Sequence, residues 1–376
     1  MTIQQKPYKS ISHNSFLAAI LFIAFLSSSC SDESETILQE TAFEPAWKEH
    51  EKFDYHLKIV LNSHVTEDEI FFYGPSHFTI MDTEGKATHY HNSVKSYPEF
   101  DKLPISDDYF INILQDNMLA LVPVDQPLST DARALVDMKE LDSTFRDFMF
   151  GNGFRSKSAI SISNEGHCLV PINTSAADRL VFYLFKAEKP DTGLERYARM
   201  VDTTKIVIPT PSGFWPSVFE TKAFEGFFLT ATESGCYKIR FDGSYKKVID
   251  ARVLDIYRQG NNLYANSFSN TYKSIDMGET WQVYEGVTNR LLVNIGYYNI
   301  QDSIIATLNS TLYAINFNDT GSKLDYNIRE LENGNLKGNK IYSLVNFGDS
   351  VYASTVSGVF VRHVDEFFDD IKIADQ

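Results

Sequence analysis

The chain has 376 residues, 43% of them hydrophobic, 14% aromatic and 22% charged, which is enough apolar material for a large folded body and excludes a disordered chain. That length accommodates two domains of about 100–200 residues or one large repetitive one. Lys plus Arg number 34 against 50 Asp plus Glu, a net charge of −16; so acidic a surface repels phosphate backbones and excludes a general nucleic-acid binder.

In chain order, the first fifteen residues carry Lys6 and Lys9 and no acid, and 16–26 is an unbroken apolar run ending in Ser27-Ser28-Ser29-Cys30. A positive start, about 7–15 apolar residues and small residues before a cut site define a secretory signal, while a membrane-spanning helix needs about 20. Residues 1–29 are therefore predicted to be a signal peptide. Cys30 directly after small residues resembles the lipobox of bacterial lipoproteins, although Leu26 stands four positions before the cysteine and Ser27 takes the usual leucine position. The resemblance implies cleavage before Cys30, a diacylglycerol on its thiol and an acylated N-terminus. Residues 30–44 are then a lipidated tether, and several acyl chains hold where one binds only marginally. The acidic Ser31-Asp32-Glu33-Ser34-Glu35 is similar to the surface-export signal of Bacteroidota lipoproteins; its other reading is a solvated leash. Removing 1–29 takes away two lysines and no acid, so −16 − 2 gives −18 for the mature chain. With Cys30 acylated, Cys168 and Cys236 remain. An exported protein could join them, but two buried free thiols is the favoured reading.

The region 45–224 is irregular. Strands are expected at 69–73 with 77–81, at 118–124, at 160–171 and at 180–186. Between them, Ala132, Leu135, Met138, Leu141 and Phe145 recur at three- and four-residue steps, which predicts a helical insertion over 130–148.

The region from 225 onward repeats. Thr230 to Tyr237, Ala265 to Tyr272, Ala306 to Tyr313 and Ala353 to Phe360 align without gaps, each preceded by apolar residues; three of them also follow a turn signal. The steps between their aromatic ends are 35, 41 and 47. Two short strands joined by a Ser/Gly/Asn turn, repeated about every 40–50 residues, mean propeller blades, because one thin sheet cannot bury both its faces alone. The fold expected for 45–376 is all-β, a β-propeller. Residues 45–372 span 328 and about 47 per unit gives seven blades, with six or eight as the alternatives. The segment 53–61 is expected to supply the strand that closes the ring.

Within the second repeat, Ser274-Ile-Asp276-Met-Gly278-Glu-Thr280-Trp281 fits S-x-D-x-G-x-T-W. A carboxylate at Asp276 can accept turn N–H groups, Gly278 permits positive φ, and Trp281 can bury its ring between sheets. The pattern resembles the Asp-box of sialidase-like and photosystem II assembly factor-like propellers, where it is structural and stands away from the axis. Asp82-Thr-Glu-Gly85, Asn164-Glu-Gly166, Asp242-Gly243 and Asp319-Thr-Gly321 are weaker copies.

For activity, the sialidase pattern departs at once: no arginine precedes Arg133, Phe-Arg-Ile-Pro is absent and only one complete box exists. No catalytic residue is assigned. His89-Tyr-His91 puts two imidazoles on one strand face, with His77 across a hairpin, but no further Cys or His cluster completes a metal site. The stiff loop around Phe214 and Trp215 is a candidate binding loop; packing between blades is its other reading. The acidic stretches 99–108 and 365–370 lack ordered calcium-ligand spacing. No cofactor or metal is expected. The whole pattern resembles a Bacteroidota-type lipoprotein bearing an Asp-box propeller, which implies an outer-membrane location facing the periplasm or the surface. It also implies a non-catalytic module that binds a protein or glycan partner. A glycan-active hydrolase with unfamiliar carboxylates and a structural subunit of an envelope complex are the alternatives.

Overall fold

The computed structural model describes residues 47–54, 56–75, 77–91, 104–114, 117–125, 134–149, 158–174, 178–188, 199–211, 216–286, 296–321, 323–336 and 338–369. Pro45–Gln376 is one compact unit, and seven antiparallel sheets follow one another along it. Numbered as blades from the inner strand outward, blade 1 is Asn62–Val65, Glu69–Tyr73, His77–Asp82 and Ala87–His91. Blade 2 has three strands among the described residues, Tyr109–Leu114, Met118–Pro123 and Ala134–Asp137. Blade 3 is Ser161–Ile162, His167–Thr174, Arg179–Glu188 and Arg199–Pro209, with Phe145–Phe148 also paired to His167–Thr174; blade 4 is Val218–Phe224, Phe227–Thr232, Gly235–Arg240 and Tyr245–Ile249. Blade 5 is Asp255–Gln259, Asn262–Asn266, Asn270–Ser274 and Gln282–Glu285. Blade 6 is Gly296–Ile300, Ser303–Leu308, Thr311–Asp319 and Leu324–Glu330. Blade 7 is Ile341–Phe347, Ser350–Thr355 and Val359–His363, completed on its outer edge by Lys48–Glu49.

The repeat has a simple geometric cause. Thr230 faces Tyr237, Ala265 faces Tyr272, Ala306 faces Tyr313 and Ala353 faces Phe360 across the second and third strands of blades 4 to 7. A small residue opposite a large ring fills the space between cross-strand neighbours, and a fixed hairpin length keeps the two seven apart.

Cohesion lies between the blades. Strand alternation sends successive residues to opposite neighbours: Ile70 and Phe72 pack with Tyr352 of blade 7, whereas Phe71 and Tyr73 pack with blades 2 and 3. Phe228 faces blade 3 and Leu229 faces blade 5. Further apolar layers join blades 5 to 6 and 6 to 7, so all seven junctions are filled and the sheets close into a ring.

The structure alters three expectations. The closing strand is Lys48–Glu49, paired with Val361 and Phe360, and not 53–61. Phe53, Leu57, Val60 and Leu61 are buried, but steps of four, three and one are not strand alternation, and Phe53 instead plugs the seam of blades 7 and 1 with its ring 4.8 Å from that of Phe72. The helical insertion at 130–148 shrinks to one turn, α1, Met138–Leu141, started by Asp137 accepting the Lys139 and Glu140 amides. Leu135 and Leu141, which helical spacing would bury, are 49% and 40% exposed; strands Ala134–Asp137 and Phe145–Phe148 flank the turn within the described residues. Finally, 160–171 is two strands separated by a turn at Gly166 (φ 79°), where a Cβ would lie 2.5 Å from the Ala187 carbonyl oxygen.

Candidate functional site

The first strand of each blade has a neighbour on one side only, so its inward edge and alternate side chains face the axis. There a cavity of about 500 Å³ opens, walled by Asn62, Ser63 and His64 of blade 1, Pro104 and Ile105 leading into blade 2, and Ser161 and Ile162 of blade 3. Glu220 to Phe224 of blade 4 and Arg258 of blade 5 complete the wall. This volume lies within the roughly 300–1,000 Å³ of ordinary ligand sites.

The wall is stitched across blades by polar groups. Glu220, buried in blade 4, accepts the Ile256 amide of blade 5 at 2.8 Å; the edge amide of an inner strand thereby gains the partner that burial demands. The Thr221 amide donates to the Ser158 carbonyl at 2.9 Å. At the mouth, Arg258 donates to both oxygens of Glu225 at 3.0 and 3.3 Å. Asp107 pairs with His64 Nε2 at 2.7 Å and accepts Asn164 Nδ2 at 2.6 Å, linking the inner strand of blade 1 to the first turn of blade 3. The His64 hydrogen bond holds the Asp107 carboxyl below its ordinary range. A backbone N–H and the Arg258 guanidinium do the same for Glu225. A carboxyl held low gives up its proton easily and is a poor donor to a leaving group.

The Ser274–Trp281 pattern forms the turn between the third and outermost strands of blade 5, away from the channel. Asp276 Oδ1 accepts Ser274 Oγ at 2.8 Å, the Glu279 amide at 3.1 Å and the Thr280 amide at 2.9 Å, while Oδ2 accepts the Thr280 hydroxyl at 2.5 Å. These bonds, led by those from Thr280, draw its pKa down to about 2. Gly278 has φ 80° and its amide donates to Ser274 Oγ; Trp281 Nε1 donates to the Gly278 carbonyl at 3.2 Å. Glu279 then fastens the turn to blade 4 by accepting from Lys238 at 2.7 Å and from Arg240. Asp82, Asp242 and Asp319 mark the equivalent turn in blades 1, 4 and 6, and each accepts a nearby turn amide; Asn164 to Gly166 instead joins the first two strands of blade 3.

His77, His89 and His91 do share one face of blade 1, His77 opposite His91 and His89 opposite Thr79. They do not converge, since His89 Nδ1 is bonded to Thr79 Oγ1 at 2.9 Å. Among the described residues no group of three His, Cys, Asp or Glu could hold a metal ion. Of the acidic stretches, Asp107 bonds the lining residues His64 and Asn164, and Asp369 lies 3.6 Å from Arg362. Cys168 and Cys236 are buried free thiols. Cys30 and the loop residues Phe214 and Trp215 lie outside the described residues. The channel residues Glu220, Lys222 and Arg258 were not singled out from sequence; the available signal was the pair of charges, Glu220 and Lys222, inside a strand that begins and ends with apolar residues, Val218–Phe224.

Fold and site together define a seven-bladed β-propeller with a polar axial channel. No family model matches the chain, and no curated protein does. Among solved structures it is similar to a catalytically inactive virginiamycin B lyase from Staphylococcus aureus with quinupristin: TM-score 0.50, 9% identity, 85% of this chain and 98% of that one covered. BamB from Moraxella catarrhalis gives a TM-score of 0.43 at 10% identity, covering 81% and 84%. The extracellular domain of a one component system from B. thetaiotaomicron gives 0.46 at 12%, covering 84% and 42%. At such identities the likeness is one of fold. No described helix is long and apolar enough to cross a membrane.

Proposed function

We propose that the chain is a non-catalytic outer-membrane lipoprotein, anchored through Cys30, whose propeller binds a protein or glycan partner at the axial channel. The observation that supports this best is the engagement of three carboxylates at the channel: Glu220 and Glu225 of its wall and Asp107 beside it are bonded to an amide, a guanidinium and an imidazole. Such groups shape a recognition surface, whereas hydrolysis of a glycosidic bond needs a carboxyl pair with one member held protonated. The signal-like N-terminus and Cys30 support the anchor and the envelope location. The Ser274–Trp281 turn, with Asp276 accepting four hydrogen bonds, supports its reading as an Asp-box, a structural element and not a reactive one.

Calorimetric titration of the purified protein with a panel of envelope oligosaccharides and peptides, each also followed for turnover, tests the reading. Binding without turnover is expected, and Ser161→Trp, which fills the channel, should abolish it. Turnover that disappears with Glu220→Gln or Glu225→Gln would establish a hydrolase instead. Metabolic labelling with an alkyne fatty acid should mark the wild type and not Cys30→Ala.

A further inference from the structure

The charged groups around the channel are unequally satisfied. Arg258 is held by both oxygens of Glu225, and His64 by Asp107. Lys222 is not held in this way. Its ammonium has three protons to donate, yet its one ionic contact among the described residues is to Glu220 at 3.4 Å, and the other Glu220 oxygen already serves the Ile256 amide at 2.8 Å. The Lys222 side chain is 31% exposed and lines the cavity. A concave site that holds an under-coordinated ammonium is poised to take an oxyanion, because a charge-assisted hydrogen bond in a partly desolvated pocket is roughly twice as strong as a neutral one.

The rest of the wall narrows the ligand further. Ser161, Ser163 and Thr221 are polar residues of the wall, and Ile105 and Phe224 are apolar ones. A wall that mixes polar and apolar residues suits a pyranose ring, which has hydroxyl edges and apolar C–H faces. The space admits one or two rings, whereas a folded partner could insert only a side chain. We propose that the axial channel takes a sugar carboxylate, with Lys222 as the counter-ion of its acid group. This rests on the binding reading above and specifies the ligand within it.

The test uses D-glucuronate, D-glucose and glutarate in parallel calorimetric titrations of the full protein. Glucuronate should bind at least tenfold more tightly than either of the others, and its affinity should fall with added salt. Lys222→Met should erase the advantage over glucose, and Lys222→Arg should keep it. Glu220→Gln should tighten glucuronate, since it removes the competing carboxylate and leaves an amide oxygen for Ile256; superimposable circular dichroism melts would show each variant folded. Equal affinities for glucose and glucuronate, or a preference that survives Lys222→Met, would overturn the proposal while leaving saccharide binding intact. Glutarate binding as tightly as glucuronate would overturn it by removing the sugar. Absence of binding by all three would overturn it too, and the oligosaccharide and peptide panel would then decide separately whether the channel binds anything.

Discussion

Replacing His77 with phenylalanine should make the protein markedly more resistant to acid. His77 lies on the third strand of blade 1, 1% exposed, and neither ring nitrogen has a hydrogen-bond partner among the described residues. The ring is tightly enclosed: a Cβ added at Gly74 would fall 2.3 Å from both His77 Cε1 and the Ile59 carbonyl oxygen. Burial first, and then the like charges of His89 and His91, lower its pKa from 6.5 to about 4. Asp54 lies on the plug segment and Lys52 beside it; both act on His89 rather than on His77 itself. Because the folded pKa lies below the unfolded one, the unfolded chain binds a proton that the folded chain refuses. Stability is therefore intact above pH 6.5 and is lost as the pH falls toward 4. The fall from 6.5 to about 4, at 1.36 kcal/mol for each tenfold change in proton affinity, amounts to about 3 kcal/mol, most of it lost by pH 4.5. Against a typical total of about 5–15 kcal/mol this is large. Urea unfolding followed by tryptophan fluorescence at pH 7.5 and 4.5 measures it: the acid-induced loss should be smaller in His77→Phe than in the wild type by about 2–3 kcal/mol. Groups outside the cluster titrate alike in both proteins and cancel in that difference. Losses equal to within about 0.5 kcal/mol would show that the burial argument is wrong.

Asp276→Ala removes the acceptor of four turn hydrogen bonds and should cost about 2 kcal/mol after allowance for its exposure, read as a lowered melting temperature; an unchanged melt would mean the turn holds itself. Trp47→Ala, at a fully buried ring packed 5.9 Å from that of Phe367 beside the closing strand, should cost about 3–5 kcal/mol in urea, and a loss under about 1 kcal/mol would show that the seam closes without it. Cys168 and Cys236 should resist a thiol reagent at pH 8 in the native protein, since burial raises both thiols, and both should react in urea without reductant; silence in urea would mean they are bonded.

How much of this was legible in the sequence depended on whether a residue's role is local. The Thr230 to Tyr237 type of pair is set by one hairpin, so its spacing survives in the chain and disclosed four of the seven blades. The Asp276 turn was readable for the same reason. The segment 130–148 misled because the exposed Leu135 and Leu141 happen to fall at the same helical steps as Met138 and Phe145, which are buried with Ala134 and Phe148 between blades. Lys48–Glu49 has no pattern of its own; its pairing is dictated by the free edge of Val359–His363, more than 300 positions away. The channel was invisible because Ser63, Ser161, Glu220 and Arg258 come from four different inner strands and meet only when the ring has closed.

The seven apolar layers lie between sheets, and none crosses the axis. The hub thus carries only polar cross-blade bonds such as that of Glu220 to the Ile256 amide, and exchanging inward groups outside those bonds leaves the apolar layers of the rim untouched. A lineage could retune what the opening admits by changing a few inward residues one at a time, with each intermediate still a sound wheel.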